Sequence, residues 1–276
     1  MKATVEMEEV TPKMANEWLE NRLEGQRSIR DTHVARLATD IIEGRFRLTC
    51  DALAIIKGKL GNGQHRCAAI AISGKTCKCL VLRTDDEKLF GVIDSGISRT
   101  AADALMQLNH HNAQVVAAAA RIICMYDKGL LTRFGSSQMK KTIESETELK
   151  ITVVSRGDII SYSQTHADTL MEFSKLACDL YREKSILPKS LSCAFLEIAA
   201  RKNKEKAIEF ISHVYRGDTT DIAYLLRERF IKNKILHSNA PQSYQFGLLI
   251  KAFKAFLSGV KLEVLKIVDG EPFPKL

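Results

Sequence analysis

Within the stretch GKLGNGQHRCAA, residues 58–69, the six positions from Gly61 to Arg66 hold two glycines, two amides, an imidazole and a guanidinium. A strand that runs through glycines into a helix presents unpaired backbone N–H groups and the positive end of the helix dipole, an arrangement that binds phosphate. Gly63 lets the backbone approach a ligand closely. The amides of Gly63, Gln64 and His65 lie at the helix start, and Arg66 in the first turn can add a bidentate grip. His65 can donate to an oxygen or act as acid or base near neutral pH. The same residue types also make a glycine hairpin turn with exposed polar side chains, and spacing alone does not separate the two.

A second stretch, FGVIDSGISRTAADAL at residues 90–105, again reads as a strand passing through small residues into a helix. Asp94 has the chemistry to bind a magnesium ion or take a proton. Ser95 and Thr100 can bind phosphate oxygens, with Arg99 beside them. The alternative is a helix cap at Ser98 or Thr100, with Asp103 in the first turn favouring the dipole. Two such turns, each with an arginine near the helix start, make one anion pocket if their strands are neighbours.

Several elements must position these residues. Residues 3–8 alternate in strand fashion. Thr11-Pro12 supplies an N-cap and a first-turn proline for a helix reaching about residue 22. A second helix is capped near Asp31, keeps apolar spacing through Ile42 and stops at Gly44. Strands are predicted at 52–57, 77–82 and 89–93, a helix over 67–72, and another in SRTAADALMQL. From His111 onward the period is helical, with segments at 112–127, 167–184, 189–202, 204–215, 220–235 and 241–258. Strand signals in this half are confined to 149–154 and 260–268. The composition changes near residue 108, which divides the chain into a mixed domain (1–108) and a helical one (109–276).

At 276 residues with 45% hydrophobic and 27% charged content, a packed core is expected rather than disorder. No run approaches the roughly 18 apolar residues of a membrane span, so no membrane partner is expected. The N-terminal MKATVEMEEV is acidic and lacks the apolar segment of a signal peptide, which points to a cytoplasmic protein. Seven scattered cysteines without a CxxC pair read as reduced, mostly buried thiols rather than zinc ligands. Net charge is +1 over residues 1–108 and +7 over the rest. A basic second half favours a nucleic-acid or phosphate-rich partner. Arg227, Arg229, Lys232 and Lys234, in TDIAYLLRERFIKNKI, are the candidate DNA contacts, and the same residues suit the solvated face of a bundle helix. Phe253 and Phe256 read as core, Trp18 as a core or interdomain anchor, and His110-His111 as structural.

The segment ALAIIKGKLGNGQHRCAAIAISGKTCKCLVLR resembles the core of the ParB/sulfiredoxin-like superfamily, in which strand, turn, G-x-x-R helix start, Gly turn and strand follow in that order. The upstream RSIRDTHVARLATDIIEGRFRL resembles that family's N-terminal helix. GNGQHRCAA is similar to the DGQHR variant of phage and bacterial ParB-like proteins and of DndB-type proteins from DNA-modification loci. The likeness covers about residues 5–108. The ID-S-G-x-x-R-T-A-A-D segment and the closing EPFP also resemble a phage or mobile-element group of ParB-like proteins. It implies that Gly63, Gln64, His65 and Arg66 bind nucleotide phosphates. Gln64 stands where sulfiredoxin-like proteins carry cysteine and ParB proteins carry glutamate, and Cys67 lies on the wrong side for sulfinic-acid chemistry. The third ParB motif has its nearest counterpart at 94–103.

The expectation is therefore an α+β chain: a ParB/sulfiredoxin-like domain with a small mixed sheet, then a mostly α-helical C-terminal domain. It would be an NTPase or phosphotransferase taking a nucleoside triphosphate (ATP or CTP) with Mg2+, acting with or on DNA in phage DNA modification or counter-defence. Gly63, Gln64, His65, Arg66, Ser95, Arg99 and Thr100 would hold the nucleotide. His65, Arg66 and Asp94 would serve catalysis, Asp94 also as metal ligand. The alternative is a non-catalytic DNA-associated regulator whose nucleotide pocket is a switch or vestigial. Nothing supplies the acidic metal-ligand set of a nuclease, and a homodimer is left open.

Overall fold

The computed structural model describes residues 3–26, 28–91, 100–107, 110–132, 135–136, 139–145, 148–217, 221–235, 240–268 and 270–276. It is α+β. By packing, the chain divides into one unit of Met1–Ser98 with Lys141–Gly157 and a second of Arg99–Lys140 with Asp158–Leu276.

In the first unit, β1 (Ala3–Val10) leads to α1 (Pro12–Glu20), whose N-cap Thr11 accepts from the Met14 N–H at 3.2 Å. Then follow α2 (Asp31–Ile42), β2 (Leu53–Ile56), β3 (Lys59–Asn62), α3 (Gln64–Ser73) and β4 (Cys77–Thr84). The four strands form a mixed sheet in the order β1-β4-β2-β3, with β2 parallel to β4 and the other pairs antiparallel. Lys57 (φ 49°) and Gly58 (φ 78°) make the tight turn of the β2–β3 hairpin. Alternation in β4 explains the layering: Cys77, Cys79 and Val81 are buried, while Lys78 is exposed. That buried face packs with Leu53 and Ile55 against Ala15, Val34, Ala38 and Ile41, and Trp18 lies against the same cluster. β1 is a strand as its alternation predicts, yet Val5 and Met7 are exposed and Val10 is its buried residue.

Residues 89–93 do not form the expected strand over their described part; a 3-10 helix occupies Glu87–Gly91. β7 (Met139–Ser145) and β8 (Glu148–Val153) follow the short pair β5 (Leu131–Thr132) and β6 (Gly135–Ser136), and β8 packs along α2. The segment after β8 is held to α2 by Ser155, whose Oγ donates to Asp40 Oδ1 at 2.7 Å.

The second unit contains α4 (Ala101–Gln107), α5 (Ala113–Asp127), α6 (Arg156–Thr165) from Asp158 onward, α7 (Ala167–Glu183), α8 (Lys189–Arg216), α9 (Ile222–Ile235) and α10 (Gln242–Ser258). The break expected between 189–202 and 204–215 is present inside α8. Asn203 leaves helical geometry, and its Oδ1 caps the Lys206 N–H at 2.9 Å. α8 is the central helix, packed by α5, α7 and α10, with Phe195, Phe210 and Phe253 fully buried between them. Residues 260–268 are not a strand. Among the described residues, no helix is long and apolar enough to cross a membrane.

Candidate functional site

Residues 61–66 close the β2–β3 hairpin and open α3, so the sequence-predicted turn is a strand-to-helix turn. Gly63 is the N-cap of α3 with φ 96° and ψ 15°, a left-handed conformation that favours glycine. A Cβ there would overlap the Cδ2 of Leu53, which is fully buried. The turn borders a cavity of about 840 Å³ that is also lined by Gln26, His33, Leu37, Asp51, Ala54, Leu82 and Phe90.

Two helix starts meet at this cavity. The Arg30 N–H, at the N-cap of α2, donates to Nε2 of His65 in the first turn of α3 at 3.1 Å. Neither N-cap residue, Arg30 or Gly63, caps its helix with its own side chain. His33, also in the first turn of α2, sets its ring edge-on to His65 with centroids 5.0 Å apart. An Nε2 that accepts a hydrogen bond holds a lone pair, so in this arrangement the His65 proton is on Nδ1.

Gln64 is buried, and its Oε1 accepts from Arg22 Nη1 at 3.3 Å. The amide therefore belongs to the wall of the site. Arg66 donates from Nη1 to the Asp51 carbonyl and from Nη2 to the Ala52 carbonyl at 2.9 Å. Its charge is held beside the cavity while it anchors the segment entering β2. Gly63, Gln64, His65 and Arg66, the four residues that stand out in the sequence, all line one cavity. His33, Asp51 and Phe90 join them from separate elements, with no local signal in the sequence to mark them.

Asp94, Ser95 and Arg99 lie outside the described residues. Thr100 takes the capping alternative: its Oγ1 accepts from the Asp103 N–H at 3.2 Å, and its own N–H donates to Asp103 Oδ2 at 2.6 Å. Among the described residues, no group of three or more His, Cys, Asp or Glu is placed to hold a metal.

Arg227 donates from Nη1 to the Val214 carbonyl at 3.0 Å and to that of Tyr215, so it caps the end of α8. Arg229 and Lys232 are exposed on α9, and the side chain of Lys234 lies outside what the structure describes.

All seven cysteines are free, and Cys50 alone among them is exposed. Burial pushes the Cys67 thiol up to about 12 in spite of Arg66 beside it, which keeps it protonated and unreactive. Alkylation with iodoacetamide at pH 8 should therefore modify one thiol of the native protein, Cys50, and seven after denaturation. Rapid native labelling of Cys67 by mass spectrometry would contradict that assignment.

No family model matches the chain, and comparison with curated proteins and with solved structures gives no match either.

Proposed function

We propose that the first unit is a ParB/sulfiredoxin-like domain that binds a nucleoside triphosphate, and that the chain is an NTPase or phosphotransferase acting with or on DNA. The observation that carries this reading is the meeting of two helix N-termini, those of α2 and α3, at one cavity through the Arg30–His65 hydrogen bond, with neither N-cap residue capping its own helix by a side chain. Both dipoles favour negative charge there. The volume of about 840 Å³ suits a nucleotide-sized ligand. Ala54, Leu82 and Phe90 supply apolar surface for a base in the same cavity.

In this reading the backbone amides at Gly63–His65 hold phosphate oxygens. His65 donates from Nδ1, and His33 is a second imidazole at the same end. Arg66 contributes charge from the fixed position its carbonyl bonds give it. Asp51 is the carboxylate on the described wall and joins Asp94 as a candidate Mg2+ ligand, where the metal would neutralise phosphate charge. Positioning and charge neutralisation carry most of phosphoryl transfer, so few acid–base groups are required. The basic second half, with Arg229 and Lys232 exposed, supports contact with DNA.

Isothermal titration with ATP and with CTP in Mg2+ tests the reading. Wild type should bind at least one triphosphate. His33→Ala, at a position where alanine favours the helix, should weaken binding by about tenfold, the size of one charge-assisted hydrogen bond. Arg66→Ala should abolish it by releasing the Asp51–Ala52 wall. A wild-type chain that binds neither triphosphate removes the proposal.

A further inference from the structure

The second unit has a cleft of its own, of about 360 Å³, between α5, β5 and the start of α10. Ile122, Met125 and Leu131 give it a buried apolar floor, and Arg121 and Gln242 are exposed at its edge. Arg121 makes no hydrogen bond or ion pair among the described residues. α10 begins after the N-cap Pro241 without a side-chain cap, so its first N–H groups have no side-chain acceptor there. Ser243, in that first turn, lines the cleft at 6% exposure, and its Oγ has no hydrogen-bond partner.

A buried hydroxyl without a partner is unfavourable and uncommon in native structures. Here it lies with a helix N-terminus and an arginine at one cleft, three donors facing a small apolar cavity. We propose that this cleft binds a small monocarboxylate with an apolar tail. Its head would take the planar guanidinium of Arg121, the Ser243 hydroxyl and the first N–H groups of α10. Its tail would lie on Ile122, Met125 and Leu131. One arginine and one hydroxyl match a single negative charge, and the volume is at the small end of ligand cavities. This inference is independent of the nucleotide reading, because every residue in it belongs to the second unit.

Hexanoate is the probe, titrated into the full chain with the Met125 methyl followed by NMR. Hexanoate should shift that resonance and saturate, while 1-hexanol, of equal chain and no charge, should bind about tenfold or more weakly. Arg121→Gln should reduce hexanoate affinity by about tenfold and leave hexanol unchanged. Ser243→Ala separates binding from structure. It should weaken hexanoate several-fold and raise the Tm of the free protein, because it deletes an unsatisfied buried polar atom. The proposal is overturned if hexanoate leaves Met125 unperturbed, if Arg121→Gln binds it as wild type does, or if Ser243→Ala lowers the Tm. Displacement of hexanoate by a lower concentration of inorganic phosphate would overturn the carboxylate assignment.

Discussion

Replacing Gly63 with alanine should destabilise the first unit by about 2–5 kcal/mol and abolish triphosphate binding. Two effects add. The residue sits at φ 96°, where an L side chain carries a penalty of about 1–2 kcal/mol. The new Cβ would also overlap Cδ2 of Leu53, and overpacking of this kind costs about 1–3 kcal/mol. Leu53 cannot swing away, because it is fully buried in β2 within the core formed with α1, α2 and α3. Relief therefore requires the turn to move, and the turn carries His65 and Arg66. Trp18, the single tryptophan of the chain, packs on this core, so its fluorescence in a urea titration reports the unit. A midpoint unchanged from wild type would mean that Gly63 does not hold the left-handed conformation. Gly74→Ala is the control. Its φ is 66° and nothing lies within 4 Å of an added Cβ, so only the conformational penalty applies.

What the sequence made legible, and what it hid, follows from where the determining contacts lie. Elements bounded by local chemistry were readable: Thr11-Pro12 starts α1, Gly44 ends α2, and Asn203 separates the halves of α8. α6, RGDIISYSQT, was missed because its composition gives little helical pattern. Distant partners place it: Lys128 on Asp158 at 2.7 Å, and Tyr162 on the buried Glu197 at 3.1 Å. The return of residues 141–157 to the first unit is made by contacts distant in sequence, such as the Ser155–Asp40 bond across 115 positions, which no local window contains. The site behaves the same way. GNGQHR announced itself through glycine and residue type, whereas His33 and Asp51 reach the cavity by tertiary folding alone. Arg66 and Arg227 show a further limit. Residue type marks a guanidinium as able to grip phosphate, but only the fold reveals that both are spent on backbone carbonyls.

The second unit should respond most strongly to Phe210→Ala, with a loss of about 3–5 kcal/mol, the range for truncating a buried aromatic. Phe210 is fully buried in the second half of α8. Its ring lies 5.6 Å from that of Phe195 in the first half, and 5.5 and 5.2 Å from those of Phe253 and Phe256 on α10. The tilted and edge-on geometry of this cluster adds favourable ring contacts beyond the area buried. Collapse into the cavity is restricted because the neighbours are large rings fixed on two different helices. The Asn203 cap holds the second half of α8 where the break places it. Far-UV circular dichroism during urea unfolding measures the loss, since helices dominate this unit. Phe210→Leu, which keeps most of the apolar volume, should lose clearly less than Phe210→Ala. Equal losses for the two variants would indicate that ring geometry rather than filled volume holds α8 to α10. A loss below about 1 kcal/mol for alanine would mean that the halves of α8 are joined by some other contact than this cluster.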